Sequence, residues 1–133
     1  MLRFHTGIDD SMSGTTAISI YIAGRQMFTS NVGDSRAVLG QRVSNGKVLA
    51  VDLSSDHTPM RRDETTRVEK SGGRILTWDQ IDGHRDQNIR IWEQPGFNHG
   101  DPPRVWFPKE RFPGTAFTRL VAVWSEQQCH PKV

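Results

Sequence analysis

Carboxylates at tight turns are the residues of this sequence best suited to chemistry. Gly33-Asp34-Ser35-Arg36 sets an aspartate directly after a glycine, between two apolar, strand-like runs. A turn of that kind can aim its carboxylate outward, where a hard cation such as Mg²⁺ or Mn²⁺ takes oxygen ligands. The competing reading is that Asp34 merely caps the turn. Asp9-Asp10-Ser11 is a second acidic group, just ahead of Ser13-Gly14-Thr15-Thr16. Paired carboxylates can hold metals or share a proton, but before a strand they more often form turns. Asp56-His57, followed by Thr58-Pro59, is a third candidate, where strand-like sequence gives way to helix-like sequence. Hydrogen-bonded Asp and His are ordinary at such a junction. From spacing alone the structural role is favoured for all three. No nucleophile elbow, Walker loop, dinucleotide fingerprint or zinc spacing occurs in the sequence.

The elements that must position these residues fall into two halves. Thr15 to Ile22 is β-branched and apolar, and the Ala23-Gly24-Arg25 turn leads into Gln26 to Val32. Ser35 to Leu39 and Lys47 to Leu53 flank Ser44-Asn45-Gly46, and Asn-Gly between apolar runs signals a hairpin because both residues tolerate positive φ. These spacings predict an antiparallel meander with buried faces. From Asp63 to Ser71 the composition is helical, with acids in the first turn and Lys70 in the last, in keeping with the helix dipole. Gly72-Gly73 supplies a left-handed C-cap, and Arg74-Ile75-Leu76 begins a new extended piece. Between Trp78 and Pro113 the chain is rich in Pro, Gly, Asp and Asn, with Trp78, Trp92 and Trp106 spaced through it. That pattern predicts a long ordered loop pinned by aromatic anchors.

At 133 residues the chain suits one domain with a real core. A formal charge of +2, with acids and bases interspersed, favours a solvated mixed surface over a nucleic-acid face. Cys129, the single cysteine, excludes an internal disulfide and a thiolate metal cluster. No apolar run approaches the roughly 20 residues of a transmembrane helix, and Met1 to His5 has no signal-peptide core. An intracellular location is expected, cytoplasmic or nuclear, with no membrane partner and no nucleic acid.

Taken in order, the segments resemble the PPM (type-2C) protein serine/threonine phosphatases. The matching stretches are Asp10 to Ala17, Asn31 to Leu39 (NVGDSRAVL), and Leu53 to Pro59 (LSSDHTP). They continue with Asp63-Glu64, Arg67-Val68-Glu69, Gly72-Gly73-Arg74-Ile75 and Pro113 to Arg119 (PGTAFTR). Each string is weak alone, and the ordered set is specific. Gly100 to Trp106 also resembles a subgroup whose phosphatase domain is joined to cyclic-nucleotide-binding and kinase domains.

The resemblance implies an α+β fold: residues 1–133 as the central part of a four-layer α-β-β-α sandwich of antiparallel sheets and flanking helices. It also implies hydrolysis of phosphoserine and phosphothreonine by water bridging two Mg²⁺ or Mn²⁺ ions. Asp34 matches a family aspartate that helps hold an additional, weaker metal, and is the only metal-associated residue carried over. The family's phosphate-binding arginine and its Asp-Gly-His-Gly-Gly motif are expected upstream of the first matching block. Asp82-Gly83-His84 lies after the predicted helix and runs into Arg85, so it is read as a decoy. Where the family continues Ser-x-Gly-Asp after Arg119, this chain reads Leu120-Val121-Ala122-Val123-Trp124. The expectation is therefore an incomplete, inactive phosphatase domain, with phosphoprotein substrates or a kinase as partners and self-association through open sheet edges. The alternatives are a non-catalytic phosphatase-like interaction module, and a basic nucleic-acid binder using Arg61, Arg62, Arg67 and the tryptophans.

Overall fold

The computed structural model of the protein describes residues 13–97 and 100–122. Strand β1 (Gly14–Thr15) is followed by β2 (Ala17–Ala23) and β3 (Gln26–Val32), then β4 (Val38–Arg42) and β5 (Val48–Asp52). Helix α1 (Arg62–Lys70), β6 (Arg74–Leu76) and the short helix α2 (Trp78–Ile81) come next. A 3₁₀ turn (Ile91–Glu93), β7 (Arg104–Trp106), β8 (Pro113–Thr115) and β9 (Val121–Ala122) complete the order. The architecture is α+β, antiparallel throughout, as expected for part of the sandwich.

The strand-rich half forms hairpins where the turn chemistry says it should. β2 and β3 pair from Ala17↔Val32 to Ala23↔Gln26. β4 and β5 pair from Val38↔Asp52 to Arg42↔Val48. Gly46 closes the second hairpin at φ 80, and Asn45 accepts a hydrogen bond from the Lys47 backbone at 3.1 Å.

Two expectations need correction here. The meander is not one sheet with buried faces: each hairpin is its own two-stranded ladder. Apolar side chains stay exposed on both, among them Tyr21 at 68%, Phe28 at 54% and Val48 at 61%. Alternation decides which residues share a face, but burial needs a second layer over that face, and the core assembles elsewhere. The strand expected over Ser35 to Leu39 begins only at Val38. Before it, the Ala37 N–H is taken by Ser54 Oγ at 2.9 Å while the Ala37 carbonyl accepts from the Leu53 N–H at 2.9 Å, and the side chains of Ser35 and Arg36 bond to Thr16 and Asp56.

The core is built around β6, β7 and β8, a three-stranded antiparallel sheet in that order. Successive side chains of a strand point to opposite faces. Ile75 and Val105 thus join Val68 of α1 and Trp92 in one apolar cluster, while Leu76 and Trp106 join Ile81 of α2 in another. Helix α1 presents Val68 inward and ends at Ser71, with Gly72 at φ 86 making the left-handed step and the Gly73 N–H returning to Val68 O at 3.0 Å.

The expected loop from Trp78 to Pro113 is thus partly regular. Trp92 and Trp106 are buried anchors, whereas Trp78 is 43% exposed and packs edge-on against Trp106. Thr77 and Gln80 form a reciprocal capping box at the start of α2. Asp101 reaches back to accept from the Trp78 and Asp79 N–H groups, both at 3.0 Å. Gln80 is fully buried and donates to the carbonyls of Asp86 and Ile89, each at 2.8 Å, so one side chain organises the following loop. No described helix is long and apolar enough to cross a membrane.

Candidate functional site

The turn after β3 carries the candidate metal ligand. Gly33 sits at φ 106, and a Cβ there would come within 2.3 Å of the Thr16 side chain. Only glycine meets both demands, which explains the residue before Asp34. The Gly33 N–H donates to His57 Nδ1 at 3.3 Å, and the His57 N–H returns to Gly33 O at 2.9 Å. Asn31 Nδ2 donates to the same Gly33 carbonyl at 3.2 Å and to Ser55 O at 3.3 Å. The hydroxyls of Thr16 and Ser35 are 2.7 Å apart, tying the far side of the turn to the start of β2. Asp34 itself is exposed, and among the described residues none donates to its carboxylate. The expected alternative, a side chain capping its own turn, is not what these contacts describe.

Asp56 and His57 are drawn into this arrangement by different routes. Arg36 grips Asp56 in bidentate fashion, Nε to Oδ1 at 2.9 Å and Nη2 to Oδ2 at 2.8 Å. That hydrogen-bonded guanidinium holds the Asp56 carboxyl below the ordinary range against the opposing effect of burial. Arg61 bridges the same loop, donating to Ser55 Oγ at 3.1 Å and Asp56 O at 3.2 Å while pairing with Asp63. The Asp34 turn and the 53–59 loop are one braced unit.

The strongest electrostatic feature lies beside that unit and was not found from sequence. Glu64 of α1 is 1% exposed and accepts from Arg119 at 2.7 Å, Arg67 at 2.7 Å and Thr118 Oγ1 at 2.5 Å. Thr118 also donates its N–H to His57 O at 2.8 Å, which joins the carboxylate cluster to the Asp34 turn. Burial works against ionisation of Glu64, but the bonds from Arg119, Arg67 and Thr118 prevail and hold its carboxyl far below the usual range. Because the folded state favours the ionised form, the stabilisation is full above the unfolded value, 4.5, and is lost as pH falls below it. Thermal unfolding followed from pH 8 downward should show a nearly constant midpoint to about pH 5 and then a steady fall. Glu64→Gln should flatten that acid limb.

The principal metal centre of the resembling family is not assembled from the residues described. Among them no three His, Cys, Asp or Glu side chains come together as a metal site. Asp34 fits a lesser role: an unengaged carboxylate on a clamped turn suits a hydrated hard cation, which commonly uses one or two protein carboxylates and keeps several waters. Asp82 forms the C-cap of α2 and pairs with Arg111, while Gly83 turns the chain at φ 79. Asp9, Asp10 and Cys129 lie outside the described residues. Of the cations considered for nucleic acid, Arg61 and Arg67 are paired with Asp63 and Glu64. A cavity of about 310 Å³ lies between α2 and the following loop, but two of its charged residues, Asp79 and Arg85, are paired and Asp101 caps the helix.

Comparison with known proteins bears on the family of the chain. The family model for Protein phosphatase 2C matches residues 3–84, which is more than half of the chain. "Probable protein phosphatase 2C 35" of Arabidopsis thaliana is 52% identical over 114 residues, covering 86% of this chain and 32% of that protein. "Probable protein phosphatase 2C 12" of Oryza sativa subsp. japonica is 36% identical over 118 residues, covering 89% of this chain and 26% of that protein. "Probable protein phosphatase 2C 52" of Arabidopsis thaliana is 32% identical over 118 residues, with 89% and 21% covered. No solved structure is significantly similar to the chain. The chain belongs to the protein phosphatase 2C family, and it spans about a third or less of these relatives' length.

Proposed function

We propose that this chain is the Asp34-bearing part of a protein serine/threonine phosphatase domain that works with Mg²⁺ or Mn²⁺. We also propose that the 133 residues by themselves do not turn over a phosphoprotein. Family membership supports the class of activity, and the exposed Asp34 carboxylate on its braced turn is the observation that carries the metal reading. Water activation between two cations needs carboxylates from several chain segments. The described residues offer Asp34 and no cluster of three potential ligands, so the reaction needs ligands beyond that set. Phosphoprotein substrates, or a kinase, are the partners in keeping with this reading.

The test is Asp34→Ala in the longest protein that contains this segment. The concentration of Mn²⁺ giving half-maximal release of phosphate from a phosphothreonine peptide should rise about tenfold, the worth of one charge-assisted ligand. The KM for peptide should change little. An unchanged Mn²⁺ requirement would remove Asp34 from the metal site.

A further inference from the structure

We infer that His57, acting through the backbone of Gly33, is the positioning residue for the Asp34 carboxylate; this rests on the metal reading of Asp34 proposed above. Both backbone polar groups of Gly33 are spent on His57, the N–H on the ring Nδ1 at 3.3 Å and the carbonyl on the His57 N–H at 2.9 Å. The bond to the carbonyl holds the Gly33–Asp34 peptide, and the ring's bond to the N–H holds the Val32–Gly33 peptide before it, so the planes on both sides of Gly33 are fixed where the chain leads into Asp34. Because a backbone N–H donates, Nδ1 must be the acceptor, so the ring serves as the tautomer carrying its hydrogen on Nε2.

His57 is itself held. Its carbonyl accepts from the Thr118 N–H at 2.8 Å, and Thr118 is anchored by its hydroxyl to the buried Glu64. Pro59, two residues on, is buried and accepts from Thr65 Oγ1 of α1 at 2.7 Å. Rigidity therefore passes from α1 through the 57–59 segment to Gly33, and ends at an exposed carboxylate. An exposed aspartate on a free loop would lose conformational entropy on binding a cation; one whose peptide plane is already fixed loses less. Asn31 adds a second hold on the Gly33 carbonyl, with the imidazole supplying the hold on the N–H that no other described group provides.

Two variants separate positioning from bulk structure. His57→Leu keeps the volume and removes the acceptor, while His57→Asn places an amide oxygen near the position of Nδ1. In the 133-residue chain, added Mn²⁺ should broaden the amide NMR signals of Asp34 and Ser35 in the wild type. The midpoint of that broadening should rise about fivefold in His57→Leu, the equilibrium worth of one net hydrogen bond, and return to within about twofold of wild type in His57→Asn. Exchange of the Gly33 amide hydrogen should quicken in the Leu variant only. Equal midpoints in both variants, or no shift in either, would overturn the role of His57. Absence of broadening in the wild type would instead overturn the metal reading of Asp34, and the positioning role with it.

Discussion

Glu64→Ala is expected to lower the unfolding free energy by about 3 kcal/mol, measured by urea titration at neutral pH. The carboxylate is buried and takes hydrogen bonds from Arg119, Arg67 and Thr118, residues drawn from α1 and from the segment before β9. Removing one partner of a buried pair leaves the others uncompensated, which is the costly way to break it. The value sits at the low end of that class because the side chains of Arg67 and Arg119 are 43% and 44% exposed and rehydrate once released. Asp63→Ala, one residue earlier on the same helix turn, is the control: its pair with Arg61 is solvent-facing and should be nearly silent. If both substitutions cost the same, Glu64 is not the clasp between α1 and the C-terminal segment.

Trp106→Ala is expected to cost about 4 kcal/mol. The indole is 1% exposed, packs with Leu76 and Ile81, receives the edge of Trp78, and donates its N–H to Leu76 O at 2.8 Å. Truncation would leave a cavity beneath α2 and an unpaired carbonyl in β6. Trp78→Ala should cost less than half as much, since that ring is 43% exposed. Equal losses at the two positions in urea titrations would show that the core is not centred on Trp106.

What the sequence made legible follows from the range of the interactions concerned. The Ser44-Asn45-Gly46 turn and the acidic start and Gly72 end of α1 are set by residues within a few positions of one another, whereas Trp92 and Trp106 stood out as anchors by residue type alone, their contacts lying up to 30 residues away. The Thr77–Gln80 capping box was of the same local kind, and its Thr-x-x-Gln spacing could have been read directly. Glu64 with Arg119 was not legible in that way, because 55 residues separate them and nothing local marks either as a partner. The same holds for Asp101 capping α2 across 22 or 23 residues.

The hairpins show the opposite limit. Apolar, β-branched runs marked β2, β3 and β5 and set β4 three residues too early, but such runs cannot say whether a second layer exists to cover a strand's faces. The site divides along the same line. Gly33-Asp34 stood out because glycine before a carboxylate at a strand end is a local signature. That His57 would be the group clamping Gly33, rather than a ligand beside Asp56, depended on two loops meeting in space.

The central proposal is that these residues carry part of a phosphatase domain and do not turn over a phosphoprotein by themselves. It is tested most directly by Mn²⁺-dependent release of phosphate from a phosphothreonine peptide by the purified 133-residue chain, with a chelator control and Asp34→Ala alongside. The prediction is no release above the chelated control for either protein. Release abolished both by chelator and by Asp34→Ala would contradict the account, because the chain would then hold a working centre of its own.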